Sequence, residues 1–93
     1  MSKVKVIRQP TAEATLIFEF ETASSEFLVK NFTDGDIYAS LERDATKEQS
    51  VLIPAHTAQV LQYGSYGGGK SNLIKIIPTA TSEKGVEVQC LKW

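Results

Sequence analysis

The chain has 93 residues, 42% of them apolar, with 10 basic residues against 11 acidic ones. That length makes one domain, which buries roughly 60–65% of its unfolded surface and has little room for a deep catalytic cleft. The near-neutral balance lacks the clustered lysines and arginines that neutralise phosphates, so no nucleic-acid partner is expected, and the apolar fraction excludes a disordered chain.

The residues from Met1 to Val6 include two lysines but no apolar run of signal-peptide length, so no secretion signal is expected. The first predicted strand runs from Val4 to Arg8, with Pro10 as the breaker behind it. Its inner residues are guarded only by Lys5. The clearest strand is Thr15 to Glu21. Leu16, Phe18 and Phe20 share one face there, and Thr15, Glu19 and Glu21 take the other. Phe27 to Asn31 and Asp36 to Glu42 follow. Thr33-Asp34-Gly35 between them is a turn signal, so these two are expected to pair as a hairpin. Asp44 to Gln49 has room for one helical turn.

Val51 to Ile53 is a short strand ended by Pro54, and Ala58 to Gln62 is another. Gly64 to Ser71 reads as a glycine-rich connection. Asn72 to Ile77 is a strand closed by Pro78, and Lys84-Gly85 bounds the last connection. In the final strand Val86, Val88 and Cys90 alternate with Glu87, Gln89 and Leu91. The predicted fold is therefore all-β: a single-domain antiparallel β-sandwich, or small barrel, of seven or eight short strands over residues 1–93. No segment is apolar over the length that spans a bilayer.

One motif points to chemistry. Gly64-Ser65-Tyr66-Gly67-Gly68-Gly69-Lys70-Ser71 matches G-x-x-x-x-G-K-[ST] letter for letter. In a phosphate-binding loop the glycines expose backbone N–H groups, the lysine reaches the outer phosphates and the hydroxyl meets Mg²⁺. Such a loop must open a helix, whose N-terminal N–H groups complete the cradle. Here it is followed by Asn72-Leu73-Ile74-Lys75-Ile76-Ile77-Pro78, a β-branched run stopped by proline, and no apolar run ending in Asp follows. The nucleotide reading is therefore rejected, and no cofactor is expected.

Other polar residues point to no reaction. His56 is the lone histidine and lacks the partners of a triad or a metal site. Asp34 and Asp36 flank Gly35, where acids and glycine are expected for turn reasons. Cys90 is the only cysteine, so it forms no internal disulfide and no zinc site with one histidine. Tyr63 and Tyr66 border and occupy the glycine-rich loop, as edge packing or as surfaces for stacking on a sugar. Leu91 and Trp93 end the last strand with apolar bulk suited to a partner chain. No catalytic or metal-binding residue is expected, and the chain is not read as an enzyme.

Three segments carry a resemblance. Val29 to Leu41 holds N-x-x-x-x-x-I-Y-x-S, from Asn31 to Ser40. Val51 to Thr57 forms an I-P-A-G-like corner with His56 where glycine is usual. Leu73 to Ile77 precedes Gly85 to Trp93, which ends in V-x-V-x-x-x-x-W. From Phe27 to Trp93 the chain resembles small β-sandwich proteins encoded among tailed-phage and prophage structural genes, near the capsid gene. Its glycine-rich loop is longer than is usual among them. The resemblance implies a non-catalytic structural or accessory protein of a phage or prophage particle, in the virion or the host cytoplasm. Such a protein binds a capsid lattice, another virion protein or its own copies as a homo-oligomer. The alternative is a small carbohydrate-binding module that stacks sugars on Tyr63, Tyr66 and Trp93.

Overall fold

A computed structural model describes residues 6–62 and 71–92. Those residues form eight strands: β1 Val6–Thr11, β2 Leu16–Ser24, β3 Glu26–Asn31, β4 Ile37–Ser40, β5 Val51–Ile53, β6 Ala58–Gln62, β7 Ser71–Pro78 and β8 Ser82–Lys92. A single 3₁₀ turn, Lys47–Gln49, lies between β4 and β5. The strands make two four-stranded antiparallel sheets, ordered β1-β8-β3-β6 and β2-β7-β4-β5. Of the consecutive pairs only β4 and β5 share a sheet. Every other connection crosses to the opposite layer. This is the winding of an eight-stranded jelly roll, two Greek keys folded into facing sheets.

Period two explains the layers. Phe18 and Phe20 on β2, Phe27 and Val29 on β3, and Ile37 and Ala39 on β4 point into the core. Ile74 and Ile76 on β7 and Val86, Val88 and Cys90 on β8 complete the alternation, with Ile53 and Leu61 from the short strands. The Phe20 and Phe27 rings meet between the layers with centroids 5.7 Å apart. Burying one such side chain contributes about 1.5–3 kcal/mol.

Three expectations are corrected. The strands around Thr33-Asp34-Gly35 do not form a hairpin: β3 pairs with β6 and β8, and β4 with β5 and β7. The turn residues are present, but they carry the chain from one sheet to the other. Pro10 does not end the first strand; it lies within β1, at a register shift between Gln9 and Thr11. β1 is an edge strand, where a residue without an N–H is tolerated. Gly85 does not bound the last connection either, because β8 begins at Ser82. Gly85 has φ of 63°, and a Cβ there would lie 1.8 Å from the Gln9 carbonyl oxygen. Only glycine allows β8 to bulge against Pro10 at this point.

Phe18 is 1% exposed, whereas Glu19 beside it is exposed and pairs with Arg43 at 3.8 Å. Phe18→Ala is expected to cost about 3–5 kcal/mol in urea unfolding, and Glu19→Ala less than about 0.5 kcal/mol. Equal losses would show that the two faces of β2 are wrongly assigned.

Candidate functional site

The residues of the first two resembling segments meet at one corner of the sandwich, between the end of β3 and the end of β5. Asn31 is buried, and its amide nitrogen lies 2.9 Å from the Gly35 carbonyl, 3.1 Å from that of Ile53 and 3.1 Å from that of Pro54. Its Oδ1 accepts from the Thr33 backbone N–H at 2.9 Å and from the Thr33 hydroxyl region at 2.7 Å. Its own N–H donates to the Thr57 carbonyl at 2.8 Å. A primary amide suits this place because it donates and accepts at once. The corner is a polar pin between sheets, with its hydrogen-bonding groups turned inward.

His56 lies on the outside of this corner. It is exposed, has φ of 58°, and places Nε2 2.8 Å from Asp34 Oδ1. Glycine adopts that left-handed backbone more readily than histidine does. Asp34 is thus oriented toward His56, while the Asp36 carbonyl accepts from the Thr79 hydroxyl at 2.6 Å. Among the described residues no three His, Cys, Asp or Glu side chains are grouped to hold a metal ion. Cys90 is buried in the core, and burial pushes its thiol pKa up, which disfavours the reactive thiolate.

A shallow groove of about 260 Å³ opens between the ends of β4 and β6, floored by Leu41, Val51 and Leu61. It is smaller than the roughly 300–1,000 Å³ of an ordinary ligand pocket. Ser71, last residue of the phosphate-loop match, begins β7 and donates its hydroxyl to the Leu41 carbonyl at 3.1 Å. A strand therefore stands where a phosphate loop requires a helix. Gly64 to Lys70 lie outside the described residues, as do Tyr63, Tyr66 and Trp93. Leu91 is half-buried on β8, where the register against Glu26 and Phe27 shifts. β8 is an interior strand, between β1 and β3.

The outer face of the β1-β8-β3-β6 sheet presents a further feature. The ladder aligns Val6, Gln89, Leu28 and Val60 in one row across all four strands. Val6 is 47% and Val60 42% exposed, with Leu28 and Gln89 half-buried. Arg8, Glu87, Lys30 and Ala58 form the next row on one side, and Lys92, Glu26 and Gln62 align on the other. Lys30 pairs with Glu87 at 3.2 Å, and Gln62 donates to Glu26 at 2.7 Å. Sequence reasoning missed this row because its members come from four strands far apart in the chain. The opposite sheet is covered differently: Ala45 in the β4–β5 connection is buried, Lys75 donates to its carbonyl at 2.8 Å, and Lys47 sits 5.6 Å from the Tyr38 ring centre.

Comparison with known proteins finds no family profile, no curated protein and no solved structure that matches the chain significantly. Among the described residues no helix is long and apolar enough to cross a membrane.

Asn31→Ala strands several buried groups, each costing about 1–3 kcal/mol, so thermal or urea unfolding should show a loss of about 3 kcal/mol or more. His56→Gly relieves the left-handed strain and loses an exposed pair worth little, so its stability should stay within about 1 kcal/mol of the parent. A comparable loss in both would mean that His56 holds the corner as much as the amide does. ATP or GTP with Mg²⁺ should leave the melting temperature unchanged, since a ligand that binds the folded state must raise it. A saturable rise abolished by Lys70→Ala would restore the nucleotide reading.

Proposed function

We propose that the protein is a non-catalytic structural or accessory component of a phage or prophage particle, acting through repeated contacts with its own copies. The observation that carries this reading is where large apolar side chains remain exposed. Val6, Val51, Leu52 and Val60 all lie on edge strands, and β5 and β6 contain no charged residue. Proteins that avoid association guard such edges with charge or proline. The other two edges follow that rule, with Arg8 and Pro10 on β1 and Glu19 and Glu21 on β2.

Two further points support the reading. The space between the sheets is filled by aliphatic and aromatic side chains, so the apolar interior serves packing. Jelly rolls also serve in viral capsid and lectin domains, an analogy of architecture that leaves function to the surface. In this reading the protein works in the virion or the host cytoplasm, and other virion proteins are further partners.

Light scattering behind a sizing column tests it. Above tens of micromolar the expected mass is a small multiple of the 10.2 kDa chain. A 10.2 kDa monomer at every concentration would sink the reading. Glycan-array binding by that monomer would put a carbohydrate-binding module in its place.

A further inference from the structure

We infer that two copies stack through the outer faces of their β1-β8-β3-β6 sheets, about a two-fold axis lying along the Val6–Gln89–Leu28–Val60 row. The inference rests on the self-assembly reading above and names its surface and symmetry. Two-fold contacts are self-complementary, so the surface must match itself after rotation. Leu28 lies at the middle of the face. Glu26 and Lys30 stand two residues to either side of it on β3, on the same face, each about 7 Å along the strand. Rotation about the row sets Leu28 on Leu28 of the second copy. The same rotation sets Lys30 over Glu26 and Glu26 over Lys30.

Charge and apolarity are both matched in this arrangement. The row spans four strands, about 14 Å, and its two ends are the exposed Val6 and Val60. Facing sheets pack about 10 Å apart, a spacing that leucine and valine fill from both sides. An axis along the strands would instead lay Lys30 over Glu87 and Val6 over Val60. The axis along the row differs in matching Glu26 with Lys30 on β3 itself, the pairing that charge reversal on β3 reads. The second sheet differs in that the β4–β5 connection lies against it, with the Ala45 carbonyl accepting from Lys75 and Lys47 beside the Tyr38 ring.

Charge reversal tests the contact. Glu26→Lys and Lys30→Glu should each weaken association at least about tenfold in sedimentation, because like charges then meet across the axis. The double variant carrying both reversals should recover to within about threefold of the parent, since the attraction is restored with its signs exchanged. Loss of the Lys30–Glu87 pair within one copy cannot produce that recovery. Val60→Asp, at an exposed position, should weaken association while leaving the melting temperature unchanged at dilutions where the parent is itself monomeric. An assembly indifferent to both single reversals, or not restored by the double one, overturns the sheet-face contact and leaves self-assembly standing. A chain that is monomeric throughout overturns both.

Discussion

The amide of Asn31 sits where the chain must leave one sheet and enter the other, and the rest of the sandwich depends on what it satisfies there. A crossing between layers carries backbone carbonyls into the interior, and a buried carbonyl without a donor is costly. Asn31 lies near the Gly35, Ile53 and Pro54 carbonyls while accepting from Thr33. Aspartate could only accept, and leucine could do neither. With the amide in place, β4 is delivered to the opposite sheet beside β5, and the Pro54 corner closes over it. The left-handed His56 is a consequence of that corner, displayed outward toward Asp34.

The winding that follows makes nearly every contact distant in sequence. β1 pairs with β8, and β2 with β7, so the two ends of the chain zip along both sheets. Loop closure must precede the reward of such contacts, which places the fold among the slower-forming topologies. It also fixes what is left outside. One sheet is partly covered by the β4–β5 connection, and the other keeps its face open. The asymmetry between the two layers therefore arises from a single connection.

Period two was enough to read which residues face the core. Val51–Ile53 and Ala58–Gln62 were legible to the residue, because Pro54 and the neighbouring polar residues bound them. Pairing was not legible. Alternation says which way a side chain points, and a turn signal says that the chain reverses; neither says whether the reversal stays in one sheet. Thr33-Asp34-Gly35 has the residues of a hairpin, yet the burial of Asn31 and Thr33 turns it into a crossing. Gly85 was misplaced because its partner is Pro10, on a strand at the far end of the sequence. The importance of Asn31 was visible only as a letter in a resembling segment, without its physical reason. The apolar row on the open sheet was invisible for the same cause as the pairing: Val6, Leu28, Val60 and Gln89 become neighbours only once the strand order is known.

Edges and faces then compete as sites of association. An edge strand recruits a neighbour through unpaired N–H and C=O groups, so the gain grows with its length. β5 has three residues and β6 five, which limits the ladder either could extend. The two longer edges, β1 and β2, are interrupted by Pro10 and flanked by exposed glutamates respectively. A face gains in proportion to the apolar area it removes from water and needs no continuous edge. On the open sheet Leu28 and Val60 adjoin, Val6 stands beyond Gln89 at the other edge, and Glu26 and Lys30 on β3 are able to fix the orientation. The absence of charge on β6 then has a simpler role than strand addition: it leaves the Val60 end of the row free of repulsion when a second sheet closes over it.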